Sequence, residues 1–180
     1  MPRIEPPDRP ASRSEALLDK VRTTMGFVPA LMQVLAHSPA ALAGYLSLRD
    51  ALSHGVLPLR LREQIGIAVA ARNNCNVCLA SHTRYGRAAG LTAEEAAAAQ
   101  HATSADRATA SALGFALLLL DGRGQVPDAE IVAMHGAGFD DAAIVEIAAA
   151  VALNTFANMV NNLAHGRPDA QPDATAHGTE

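Results

Sequence analysis

The chain has 180 residues, 49% hydrophobic and 18% charged, which suits one domain with a substantial core and excludes a disordered chain. Its net charge is −4, it has no Lys/Arg-rich run, and aromatic residues make up only 3%. The basic face or stacking platform of a nucleic-acid binder is therefore missing.

The first thirteen residues, MPRIEPPDRPASR, hold four prolines and no apolar segment of the kind a secretory leader carries. They read as an extended arm over 1–13, without a core of its own, lying over the body or a neighbouring subunit. From residue 14 the chain is rich in Ala, Leu, Glu, Gln and Arg, and its pattern predicts helices at 14–25, 29–37, 39–53, 58–73 and 75–89. Further helices are expected at 92–101, 104–121, 127–136, 140–153 and 155–165. Pro29, Pro39, Pro58 and Pro127 stand where helices begin, and Gly26, Gly55, Gly90 and Gly138 where they end. In LREQIGIAVAAR, the residues Leu61, Ile65, Ala68 and Val69 recur at three- and four-residue steps, a packing face. No segment favours a strand, so the expected fold class is all-α, one domain over 14–165. A polar, Pro-interrupted tail follows at 166–180.

The most apolar run, ALGFALLLL at 112–120, is about half the length of a membrane span and reads as a buried helix. The expectation is a cytoplasmic protein that does not enter membranes. In that compartment thiols are kept reduced, which disfavours a structural disulfide and favours a catalytic or metal-binding pair.

The chain holds only two cysteines, in NNCNVCLASH at 73–82. Cys75, Cys78 and His82 stand at i, i+3 and i+7, along one face of a helix. Two sulfurs at this spacing can close a disulfide with little backbone movement. The Asn73–Asn74 pair offers capping chemistry, so a helix is expected to start at or beside Cys75, where its dipole favours a thiolate. An unperturbed thiol is only a few per cent ionised at neutral pH. His82 can accept the proton from Cys78, and Glu63, on the preceding helix, can orient the imidazole. Other readings stay open here. The thiols can pack as small hydrophobes, or bind zinc with His82 and a fourth ligand. Glu63 can simply face solvent or complement its helix dipole.

The segment 55–82 also overlays 138–165 without gaps, matching Gly55 with Gly138, Glu63 with Glu146 and His82 with His165. Asn158 and Asn161 then fall where the first copy has Cys75 and Cys78. This pattern predicts a duplicated helical hairpin with thiols in one copy only. Glu146 reads as a relic of the repeat or an oligomer contact, His54, His135 and His165 have no recognisable partner, and Arg72, Arg84 and Arg87 read as an exposed face. Tyr85 is a candidate for the border of a pocket.

The stretch EQIGIAVAARNNCNVCLASH, with the trailing TRYGRAAGL and the upstream GFVPAL, resembles the carboxymuconolactone decarboxylase and alkylhydroperoxidase D-like (AhpD-like) superfamily. The resemblance implies an all-α fold, often a homo-oligomer (trimer or hexamer, a dimer being the lesser alternative), and thiol-dependent reduction of hydroperoxides. It implies Cys78 as the peroxidatic thiol, Cys75 as the resolving thiol, and Glu63 with His82 as a proton relay. The well-known alkylhydroperoxidases carry a histidine just before the second cysteine, where this chain has Val77. An external dithiol donor, either a lipoyl-bearing or a thioredoxin-type protein, would reopen the disulfide, and no bound organic cofactor or metal is expected. Two alternatives are lactone decarboxylation, which needs no cysteines, and a non-enzymatic redox sensor.

Overall fold

A computed structural model of the protein describes residues 2–164. The tail expected at 166–180 and His165 lie outside the described residues. Nine α-helices and no strand occur among those described: α1 (Ser12–Met25), α2 (Ala30–Leu35), α3 (Pro39–Ser53), α4 (Leu59–Arg72), α5 (Asn76–Ala88), α6 (Ala93–Gln100), α7 (Arg107–Asp121), α8 (Asp128–Gly136) and α9 (Asp141–Ala164). The all-α fold class expected from the sequence is the one observed.

The bundle is built around α4. From Gln64 to Ala70 every residue of this helix is buried, so it shows no polar face and needs partners on all sides. Helices α5, α6, α7 and α9 supply them. The main core joins Ile65, Ile67 and Val69 to Leu113, Phe115, Met134 and Ile147. A second, smaller core gathers Leu18, Val21, Met32, Leu35 and Leu42 from α1, α2 and α3. The run at 112–120 belongs to α7 and buries Ala112, Leu113, Phe115 and Ala116.

Prolines and glycines punctuate these helices as chemistry requires. Pro39 opens α3 behind the Ser38 cap, while Gly26, Gly90 and Gly138 take the left-handed conformation at helix ends. Gly55 has a different task. A side chain there would run into the carboxylate of Glu146, which reaches across from α9. That carboxylate accepts hydrogen bonds from the backbone N–H groups of Val56 and Leu57 at 2.8 and 3.1 Å, just ahead of α4. Glu146 is therefore an intramolecular clasp between α9 and the entry to α4, not a relic. Other side chains expected to stand alone are also engaged: His135 Nε2 bonds Asp141 at 2.9 Å, His54 Nδ1 bonds the Asp50 carbonyl at 2.9 Å, and Arg72 pairs with Asp121 at 2.9 Å.

The second copy of the expected hairpin is not a hairpin. Helix α9 runs unbroken over 141–164, through the interruption expected at Asn154. Asn154 turns its side chain back to the Ala150 carbonyl, 2.9 Å away and one turn earlier, so this poor helix former is accommodated. The first copy bends at Asn73–Asn74, and its counterparts in α9 are Phe156 and Ala157, which have no reason to turn. Among the described residues α9 alone is long and apolar enough to cross a membrane, by length and composition only. Its inner side is buried through Ile147, Ala150, Val151, Ala157 and Asn158.

The arm lies on its own body. Pro6, Pro7 and Pro10 share a surface cleft with Leu18, Val28 and Gln33, the Glu5 carbonyl meets His37 Nε2 at 2.8 Å, and Arg3 N–H donates to the Ala164 carbonyl at 2.9 Å.

Replacing Glu146 with Ala orphans two backbone donors beside the central helix, so a loss of about 1–3 kcal/mol is expected in urea-unfolding stability. Glu146→Gln keeps one acceptor oxygen and is expected to lose less.

Candidate active site

Helix α4 ends in a turn whose geometry sets the cysteines. Asn74 adopts φ 52°, which asparagine tolerates better than most residues. Its N–H donates to the Ala71 carbonyl at 3.2 Å, and Cys75 N–H donates to the Ala70 carbonyl at 2.9 Å, the paired bonds of a Schellman ending. The two asparagines thus close α4 and do not open α5, contrary to the sequence expectation. Cys75 itself caps α5, its sulfur accepting from Cys78 N–H at 3.4 Å. Both sulfurs consequently sit in the first turn of α5, at the positive end of its dipole.

Cys75 and Cys78 are joined in a disulfide with their Cα atoms 5.3 Å apart. They differ in access. Cys75 is 1% exposed and packs with Ala70, whereas Cys78 is 4% exposed and lines a cavity of about 360 Å³. The same cavity is lined by His82 and Glu63, one from α5 and one from α4. His82 Nδ1 lies 2.8 Å from Glu63 Oε2, and both side chains are largely buried. With the carboxylate accepting from Nδ1–H, Nε2 is the nitrogen left to exchange a proton.

This contact needs Gly66. A Cβ there would stand 2.5 Å from His82 Nδ1 and 2.7 Å from Cε1, inside the imidazole. The glycine one turn after Glu63 therefore opens the slot in which the ring lies against the carboxylate. All four residues singled out by the sequence are brought together: Glu63, His82 and Cys78 on one cavity, and Cys75 bonded to Cys78.

Helix α9 adds groups that sequence reasoning did not assign. Asn161, 7% exposed, donates from Nδ2 to Cys78 Sγ at 3.3 Å. Asn158 accepts from Asn73 Nδ2 at 3.0 Å, and Asn162 donates to the Asn73 carbonyl at 2.9 Å, tying α9 to the turn that carries the cysteines. The overlay that set Asn161 against Cys78 held the signal: the two matched positions meet in space.

The remaining walls come from other helices. Met25, Leu31, Met32, Leu59, Val77 and Ala157 give them an apolar character, with Tyr45, Arg49, Ser81 and Tyr85 as further polar groups. Tyr85 does border the pocket, and Val77 presents an isopropyl group to it. Burial pushes the Tyr45 phenol above its ordinary value, against an opposing pull from Arg49, so it is protonated at neutral pH. Among the described residues no group of three or more His, Cys, Asp or Glu side chains is placed to share a metal ion.

Residues 39–122 match the model of the carboxymuconolactone decarboxylase family. Solved structures match over almost the whole chain. A peroxidase-related protein from Ralstonia eutropha JMP134, described as an alkylhydroperoxidase AhpD core, superposes with a TM-score of 0.81 at 26% identity, over 93% of this chain and 92% of that one. The matched segment carries both cysteines, and the likeness over the rest of the chain is to an AhpD core. A peroxidase-related protein from Silicibacter sp. TM1040 gives 0.80 at 20% identity over 93% and 91%. The debrominase Bmp8 gives 0.75 at 19% over 93% and 92%, and these two likenesses speak to the AhpD-like fold alone. No curated protein matches the sequence.

In the reduced protein an amide N–H beside Cys78 favours the thiolate over the thiol. Asn161→Leu is expected to make Cys78 titrate at higher pH and react with iodoacetamide more slowly, by about tenfold or more, the worth of one hydrogen bond to a charged group. Thiolate absorbance at 240 nm, followed against pH in a Cys75→Ser background, checks it.

Proposed function

We propose that the protein reduces organic hydroperoxides through a Cys75/Cys78 dithiol–disulfide cycle. The observation that carries this reading is the asymmetry of the pair: the sulfurs can join, and only Cys78 reaches the cavity that also holds His82 and Glu63. In the reduced protein His82 takes the Cys78 proton, and Glu63 holds the imidazolium that results. The thiolate attacks the terminal oxygen of R–O–OH. An S–O bond forms, the O–O bond breaks, and the leaving RO⁻ takes the proton from His82 as ROH. Cys75 thiolate then attacks the Cys78 sulfenic acid, an S–S bond forms, and the hydroxyl leaves with a proton as water. The peroxide gains two electrons and the thiols lose two. A donor dithiol, lipoyl-bearing or thioredoxin-type, returns them by exchange and becomes a disulfide itself. None of these steps calls on a bound organic cofactor.

Lactone decarboxylation uses acid–base groups and has no need of sulfur. The paired thiols at the cavity wall favour the peroxide reading over it. A redox sensor without turnover needs no substrate cavity, and the apolar-walled space beside Cys78 speaks for an enzyme.

The proposal extends to assembly. Val145, Ala152, Phe156, Met159 and Leu163 are exposed on α9 and repeat at seven-, four- and three-residue steps, the seam that a second helix covers in knobs-into-holes packing. A homo-oligomer sealed there is expected, and Met159→Glu with Leu163→Glu should lower the mass seen by analytical ultracentrifugation.

Cys78→Ser is expected to abolish peroxide turnover. Cys75→Ser should give a single turnover, leaving a sulfenic acid that dimedone traps on Cys78. His82→Gln is expected to lower kcat/KM by about 10²–10⁴, the usual contribution of a positioned proton carrier. Stopped-flow peroxide consumption with an excess of dithiol separates these outcomes, and full turnover by Cys78→Ser would overturn the reading.

A further inference from the structure

We propose that the substrate is an apolar hydroperoxide that also bears a carboxylate, with Arg49 gripping the carboxylate while the peroxide end reaches Cys78. This rests on the peroxidase reading and names the substrate class of the same cavity.

Two features call for an organic body. The cavity, at about 360 Å³, lies in the range that holds small organic molecules, and Met25, Leu31, Met32, Leu59, Val77 and Ala157 line it. Hydrogen peroxide has no apolar surface to bury against such walls.

The charge comes from Arg49. This arginine lines the cavity, is itself exposed, and makes no ion pair or hydrogen bond among the described residues. Its neighbours in the chain behave otherwise. Arg60 is bound to Glu95 and the Gly90 carbonyl, Arg62 to the Leu52 carbonyl, and Arg72 to Asp121. The cavity has one carboxylate of its own, Glu63, and His82 occupies it at 2.8 Å. A guanidinium offers five donors in a planar fork that fits a carboxylate, and nothing in the cavity answers them. Tyr45 stands four residues before Arg49 on α3, on the same face, and its protonated hydroxyl is a further donor. Cys78, His82 and Glu63 come from α4 and α5, whereas Arg49 and Tyr45 come from α3. The reacting groups and the guanidinium thus enter the cavity from different helices, so one can serve the reacting oxygen and the other an anionic head.

The test compares a hydroperoxide of a medium-chain fatty acid with its methyl ester, in the wild type and in Arg49→Gln and Arg49→Lys. The wild type is expected to prefer the acid through a lower KM. Arg49→Gln should lower the acid-to-ester ratio of kcat/KM about tenfold, the equivalent of about 1.4 kcal/mol. Arg49→Lys should recover part of it, and raised salt should shrink the wild-type preference. Equal KM values for acid and ester in the wild type, or an unchanged ratio in Arg49→Gln, would overturn the proposal. A separate arm does not depend on peroxide chemistry: calorimetric titration with decanoate and with 1-decanol. Decanoate binding that weakens in Arg49→Gln while decanol binding does not would uphold the anchor even if no peroxide were consumed. Equal binding of the two in the wild type would sink it.

Discussion

A carboxylate on one helix and an imidazole on the next can touch only if the backbone between them leaves room for the ring. In this protein that room is residue 66, and the 2.8 Å contact between Glu63 and His82 exists because glycine stands there. The constraint reaches far. It fixes how closely α5 lies on α4, and α4 is the helix against which four others pack. It also sets the imidazole tautomer, leaving Nε2 as the basic nitrogen. The chemistry of the site and the packing of the bundle therefore share one small residue. Any side chain at that position would part the two helices or the two functional groups.

The turn between α4 and α5 makes a second dual use of few atoms. Its Schellman ending satisfies the last carbonyls of α4 and delivers Cys75 as the cap of α5 in the same step. Both sulfurs then lie where unsatisfied amide groups and the helix dipole favour negative charge. From the opposite side α9 contributes the Asn161 amide to Cys78 and the Asn158 and Asn162 amides to Asn73. A buried polar network of this kind holds the cysteine turn in one position against the central helix.

The local parts of this arrangement were legible in the sequence. The all-α class followed from composition and helical periodicity. The sulfur–sulfur–imidazole row followed from offsets of three and four residues, which a helix converts directly into proximity. Glu63 was legible because its helix leads straight into the pair. What escaped came from chain segments far away in sequence: Tyr45 and Arg49 on α3, and Asn161 on α9. Nothing local marks an asparagine in an Ala-rich helix as a neighbour of a sulfur. Glu146 was misjudged for the same reason, since its partners are backbone donors ninety residues earlier. The continuity of α9 was missed because Asn154 and Thr155 are weak helix formers, and tertiary burial outweighs that preference.

Phe156 belongs to two surfaces at once. It is part of the exposed apolar seam of α9, and its ring lies 6.4 Å from that of Tyr45, tilted by 51°. Tyr45 in turn walls the cavity. A partner seated on the seam would meet this ring pair, and through Tyr45 the wall of the cavity. If the proposed homo-oligomer forms on that seam, a chain alone and a chain in the assembly would offer differently shaped cavities to the same molecule.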